Sequence, residues 1–235
     1  MKRLIALLLV LSLLIVFAGC NSNPDPNTSN DSQSTQGADN VGDSVSDDSS
    51  AIGGVLTEEA LRNRKATPES DFEYKEFWDI VRIDKYLGDD PIIVIPDTIN
   101  GKPVGEVSDC LFEYDFTVKG VYFPPTVTDI GAFGVTSENL EVVICEGVEE
   151  IKYGCFGYSP NLHTLVLGDN LKKLEGYALS DLSVLTEVYI APSMTEIDGD
   201  ASTVFSGSDN LTVKGKADSF IESVCKEQGI PFEAV

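Results

Sequence analysis

The chain has 235 residues, of which 39 are Asp or Glu and 16 are Lys or Arg, for a formal net charge of −23 at pH 7. An acid excess of this size argues against nucleic acid as a partner, because such affinity rests on neutralising phosphates with Lys and Arg. It disfavours anionic lipid headgroups and anionic wall polymers for the same reason, and it keeps the chain soluble on a crowded surface.

The first element is a leader. Lys2 and Arg3 precede an apolar run from Leu4 to Val16, broken only by Ser12. The run is too short and wrongly flanked for a stable membrane span, so residues 1–19 read as a secretory signal. Its ending, Phe17-Ala18-Gly19-Cys20, resembles the bacterial lipobox, with Phe17 where that motif has Leu. The resemblance implies cleavage before Cys20, diacylation of its thiol, and anchoring on the extracellular face of the bacterial cell membrane. Acyl chains hold a membrane by about 0.8 kcal/mol per buried methylene, so a multiply acylated Cys20 is a stable tether. Residues 20–52 read as a linker, since the stretch 21–50 holds six Asp, no Lys or Arg, and almost nothing apolar. Such a segment cannot bury enough surface to offset the entropy of ordering, which predicts a disordered, self-repelling spacer. Cleavage leaves 14 basic residues (16 − 2) against 39 acidic, a net of −25, so the folded part is acidic as well.

Residues 53–90 read as an N-terminal cap. "LTEEALRNR" suggests a short helix beginning after Thr57, and 71–90 alternates like a β-hairpin, offering Phe72, Tyr74, Ile80 or Val81, and Ile83 as a lid. Residues 91–214 repeat. Apolar pairs fall at Val104/Val107, Val127/Ile130, Val148/Ile151, Leu171/Leu174 and Met194/Ile197, spaced by 23, 21, 23 and 23 residues. A small-then-large step follows each: Leu111-Phe112, Ala132-Phe133, Cys155-Phe156, Ala178-Leu179 and Val204-Phe205. The next rung opens on Val118, Leu140, Leu162, Leu185 or Leu211, preceded by Asn at 139, 161 and 210, and runs into alternating strands such as 121–123, 165–167 and 188–190. One rung buries five or six apolar side chains at about 1.5–3 kcal/mol each. Ordering its residues costs about 1–2 kcal/mol apiece, so stability belongs to the stacked array. Residues 215–235 read as a helical C-terminal cap with Phe220, Ile221, Val224 and Cys225 on its packed side and Gly229 as its stop.

"VYFPPTVTDIGAF" (121–133), "NLHTLVLGDNLKKLEGYAL" (161–179) and "VIPDTINGKPVGEV" (94–107) resemble the BspA-like leucine-rich repeats. The likeness spans roughly residues 70–235, with Asn100 to Pro103 inserted as an extra turn. Cys145, Gly168 and Ala191 stand in for the repeat's proline, one residue is missing between Leu140 and Ile144, and Gly199 to Thr203 form an insertion. The fold implied is an α/β solenoid: about five rungs of 21–26 residues, a parallel β-sheet on one face, an N-terminal hairpin cap and a C-terminal helical cap.

The candidate sites are few. His163, the sole histidine, matches Lys119 and Thr186 of other rungs, which makes it an exposed ladder position with no nucleophile or orienting acid beside it. Cys110, Cys145, Cys155 and Cys225 lack CxxC spacing and read as packed free thiols, not a zinc site. Asp129, Glu149, Glu150, Lys172, Lys173 and Glu196 form a column of solvated charges, about 4.8 Å from rung to rung. Asp89-Asp90 and Asp198-Gly199-Asp200 supply too few oxygens for Ca²⁺, so neither metal nor cofactor is expected. Val94, Tyr122, Val143, Val166 and Tyr189 read as the outward residues of successive strands, a stripe explained by β-propensity or by a partner.

The family resemblance implies a non-catalytic surface lipoprotein that attaches to an extracellular protein or glycan. An extracellular polymer-processing enzyme or its accessory subunit is the alternative. It is weakened because rungs and caps consume the ordered chain and no convergent acid/base pair is visible. A purely structural surface module is the third reading.

Overall fold

A computed structural model describes residues 55–112 and 117–235. The signal sequence, Cys20 and the 20–52 linker lie outside the described residues. Each turn of the chain lays down two strands. The first set begins with β3 (Ile92–Val94), β6 (Gly120–Phe123), β8 (Val142–Cys145) and β10 (Thr164–Leu167), paired in parallel in the order β10-β8-β6-β3. Ile93, Val121, Val143 and Leu165 stand side by side in this ladder and turn inward, all buried. The three-stranded parallel sheet of β12 (Glu187–Tyr189), β14 (Thr212–Gly215) and β15 (Phe232–Ala234) follows the same rule, with Val188 opposite Val213.

The Val-x-x-Ile steps make a second parallel ladder: β5 (Lys102–Val107), β7 (Asp129–Ile130), β9 (Glu150–Ile151), β11 (Lys173–Glu175) and β13 (Glu196–Asp198). Val107, Ile130, Ile151, Leu174 and Ile197 align across it and point into the core that both ladders share. The leucine-rich repeat solenoid read from the sequence is therefore the observed fold, and it carries this further ladder. Where turns close between strands, Ser137, Ser159, Ser180 and Ser208 are buried. Their hydroxyls bond main-chain groups: Ser137 Oγ donates to Val118 O (3.0 Å) and Ser208 Oγ to Leu179 O (2.8 Å). The repeated Asn has a similar use, as Asn161 and Asn210 donate to Glu138 O and Ser183 O of the preceding rung. Buried main-chain carbonyls left unpaired would each cost about 1–3 kcal/mol, so these polar positions are as much part of the repeat as the leucines.

At the N-terminal end β1 (Phe72–Glu76) and β2 (Val81–Tyr86) form an antiparallel hairpin, and β2 pairs in parallel with β5. The extra turn at Asn100 to Pro103 belongs to a second hairpin, β4 (Thr98–Ile99) with β5, whose Asn100 and Gly101 take the left-handed φ values of 52° and 77° that a two-residue turn demands. A single helical turn, α1 (Glu58–Arg62), starts after Thr57, whose hydroxyl accepts from Ala60 N–H. The insertion after β13 folds as α2 (Ala201–Val204), capped by Asp200. The last helix, α3 (Phe220–Gln228), is capped by Ser219 and ends at Gly229, with φ 71°. It buries Ile221, Val224 and Cys225, whereas Phe220, expected on that side, is exposed because it occupies the first helical position.

Three assignments in the second rung need correction. Val143 points into the core, and its neighbours Val142 and Ile144 face outward. The missing residue lies after the strand, between Cys145 and Val148, and not between Leu140 and Ile144. Cys145 aligns with Phe123 and Leu167 as a core residue and not with the proline. The shortened turn closes through Gly147, where a Cβ would come within 2.3 Å of Pro125 O. Likewise Gly134-Val135, not Ala132-Phe133, is the buried small-then-large step, and Phe133 is displaced toward solvent at φ 52°.

Candidate binding surfaces

The expected stripe is already occupied over most of its length by the chain itself. Leu56 and Leu61, flanking and within α1, pack on Val94, Val142 and Ile144, with Ile92, Tyr122 and Val166 at the margin. Gly120 makes room for Leu56, since a Cβ there would lie 2.4 Å from Leu56 Cδ2. Polar contacts fasten this strap. Leu56 N–H donates to Glu141 Oε2 (3.0 Å), Arg62 donates twice to the Glu146 carboxylate (2.8 and 3.2 Å), and Val94 N–H donates to Thr67 Oγ1 (3.0 Å). The Arg62 guanidinium holds the Glu146 carboxyl below its ordinary pKa. Of the five stripe residues, Val94 and Val143 are buried and Tyr122 and Val166 half-buried; Tyr189 remains open, at 40%.

The charge column is a cross-rung ladder. Lys152 reaches Asp129 (2.7 Å), Lys172 reaches Glu149 (2.6 Å), and Lys173 lies between Glu175 (3.4 Å) and Asp198 (3.2 Å). These pairs are solvated and each is worth a few tenths of a kcal/mol.

Beside this column runs an aromatic ridge. The residues three beyond the second apolar anchor of each step sit in register, tied main chain to main chain through Phe133 N–H to Tyr153 O and Gly154 N–H to Gly176 O. This aligns Cys110, Phe133, Gly154 and Tyr177, all at left-handed φ between 52° and 61°. Gly154 leaves the room Phe133 needs, since a Cβ there would lie 2.5 Å from Phe133 Cε1, and the neighbouring Tyr153 fills the column from above. The rings meet from rung to rung at steep angles: Phe133–Tyr153 edge to face with centroids 5.6 Å apart, and Tyr153–Tyr177 tilted at 5.4 Å. A second left-handed column follows one turn later, Tyr158 (60°), Asp181 (55°) and Gly207 (75°), linked by Tyr158 N–H to Ser180 O and Asp181 N–H to Ser206 O. Tyr153 is 42% and Tyr158 39% exposed. Burial, Asp181 and the Tyr153 and Tyr177 hydroxyls together raise the Tyr158 pKa. Sequence reasoning missed this ridge because aromatic residues at left-handed φ defy local propensity. The signal that could have found it is the constant four-residue step from Val107, Ile130, Ile151 and Leu174 to Leu111, Gly134, Cys155 and Ala178.

The remaining candidates separate. His163 is half-buried rather than exposed: its main chain is drawn against the preceding rung by a bond to Glu141 O, its Nδ1 lies 3.0 Å from Thr164 Oγ1, and its enclosed Nε2 has no hydrogen-bond partner among the described residues. Cys145, Cys155 and Cys225 are buried free thiols, with burial pushing Cys225 up to about 11. Cys110, expected with them, is not among these free thiols. Among the described residues no cluster of three or more His, Cys, Asp or Glu is placed to hold a metal ion, and no helix is long and apolar enough to cross a membrane. Trp78 projects from the β1–β2 turn, 96% exposed, while Phe77 beside it is held by Arg82, 5.5 Å above its ring, and by Lys102 bonding its carbonyl.

Residues 102–220 match six copies of the BspA type leucine-rich repeat region. Among solved structures, a T. pallidum leucine-rich repeat protein is 24% identical, with a TM-score of 0.58 over 73% of this chain and 100% of its own. A leucine-rich repeat protein from Bacteroides ovatus is 19% identical (TM-score 0.46; 61% of this chain, 45% of that one). A leucine-rich cell surface protein from Faecalibacterium prausnitzii is 21% identical (TM-score 0.35; 65% and 55%). No curated protein matches the chain.

Proposed function

Because the chain belongs to the BspA type leucine-rich repeat family, we propose that it is a non-catalytic recognition module, held on the extracellular face of a bacterial membrane by an acylated Cys20 and binding an extracellular protein or glycan. The observation that carries this reading is the ridge of Phe133, Tyr153, Tyr177 and Tyr158. Aromatic rings in rung-spaced register, Tyr153 and Tyr158 exposed and Phe133 and Tyr177 half-buried, offer a row of contact points to an extended partner, and apolar surface of this kind marks interaction sites. The sheet stripe of Val94, Tyr122, Val143, Val166 and Tyr189 is replaced as the favoured face, since the strap fills it.

The test uses the full-length chain to capture proteins and glycans from its native surface environment. Tyr153→Ala combined with Tyr177→Asn is expected to abolish capture, while Tyr189→Ala preserves it; Asn suits the left-handed position at 177. Undiminished capture by the folded ridge variant refutes the ridge, and turnover in a hydrolase panel refutes the non-catalytic reading. Acyl-chain labelling that persists in Cys20→Ser would remove the anchor.

A further inference from the structure

Asp181 differs from most acids of this surface. Asp129, Glu149, Glu150, Glu175 and Asp198 each meet a lysine, whereas the Asp181 carboxylate has neither hydrogen bond nor ion pair among the described residues. Asp181 is exposed, yet one edge of its carboxylate is closely approached. A Cβ on Gly207 would fall 2.2 Å from its Oδ1, so the glycine exists where the carboxylate needs space. The surroundings desolvate it enough to raise its pKa. Tyr158 stands one rung away in the same left-handed column, and Tyr153 and Tyr177 continue the aromatic surface. Gly207 also lines a cleft of about 360 Å³ with Phe205, Ser206 and Ile230, which extends the surface beyond Asp181.

An unneutralised carboxylate beside aromatic rings is complementary to a cation. The rings attract it through their quadrupole and the carboxylate through its charge, and partial desolvation strengthens both. The net charge of −23 draws cationic partners from a distance. A neutral sugar would use the rings but gain nothing from the charge. Resting on the ridge as the binding surface, we infer that Tyr158 and Asp181 receive a lysine or arginine side chain of a peptide partner, with Tyr153 and Tyr177 as the rail beside it.

The experiment titrates the full-length chain with an Arg-Gly decapeptide, the same peptide with citrulline for arginine, and a neutral β-glucan oligosaccharide. The arginine peptide is expected to saturate, and the citrulline peptide to bind about tenfold more weakly. Asp181→Asn and Tyr158→Asn should each weaken the arginine peptide about fivefold or more. Glu59→Gln, which makes the same charge change at an exposed acid of α1, should leave it unchanged. Asn is tolerated at both left-handed positions. If Tyr158→Asn fails to fold, Asp181→Asn decides alone. Equal binding of the arginine and citrulline peptides, an equal effect of Glu59→Gln, or no binding at all overturns the inference. Tyrosine-dependent, Asp181-independent binding of the glucan overturns it too, yet leaves the ridge standing. Capture from the native environment that ignores the ridge tyrosines would bring down the ridge itself.

Discussion

Two aspartates show opposite uses of one side chain. Burial alone would raise the pKa of Asp84, but Arg82, Lys75 and Ser108, at 2.7–2.8 Å, bring it down to about 2. A depressed folded pKa means that the stabilisation is complete above the unfolded value of 3.8 and is lost as pH falls toward 2. Asp84→Asn should therefore cost about 1–2 kcal/mol at pH 7, screening by solvent keeping it modest, and the deficit should shrink in melts below pH 3. Asp181 has a raised pKa, so the sign reverses: folding is favoured below 3.8 and loses ground as pH rises through the folded value. Asp181→Asn should melt higher than the parent at pH 7 and equally at low pH, while losing the cationic ligand.

At the scale of elements, the strap and the ladders respond differently to mutation. Leu61 is fully buried against the sheet, so Leu61→Ala should cost about 2–4 kcal/mol within the strap. Hydrogen exchange should show the loss as fast exchange at Leu61 and Asn63, whose amides bond Thr57 and Glu59, with ladder amides such as Val143 still protected. Equal loss of protection in both would mean that strap and rungs unfold as one. The helical turn is legible in the sequence, since Thr57 caps it and acids fill its first turn. Its seat is not, because a local pattern cannot say which distant apolar stripe it will cover. The alternation along the strands marks that stripe as apolar and outward, which holds at Tyr122 and Val166; its occupant is a segment of the same chain. Val143 departs for a smaller reason: the rung loses its one residue after the strand and not before it, which shifts the phase of the alternation by one.

The whole molecule is an array whose cohesion runs from rung to rung. The period, the core anchors and the family pattern are legible because they repeat; the buried serines are not, since a short polar residue does not announce its burial, and the Val-x-x-Ile period marks core anchors without showing that their main chains pair as a second ladder. The end of such an array is its weak point. Removing residues 216–235 deletes α3 and β15, uncovers Val213 and leaves β14 as an open edge. Light scattering should then detect self-association, and exchange protection should fade from β14 inward. A monomeric truncated chain with unchanged melting would show that the rungs hold without that cover.

The strap also fixes how the molecule meets load. Tension applied at residue 55 reaches Leu56, Leu61 and the Arg62–Glu146 pair before any rung. These contacts lie on the outer face of β3, β6 and β8 and can peel one after another, leaving the ladders intact. Peeling would bare Val94, Val142 and Ile144 to solvent, so a pulled molecule presents a different face from a slack one.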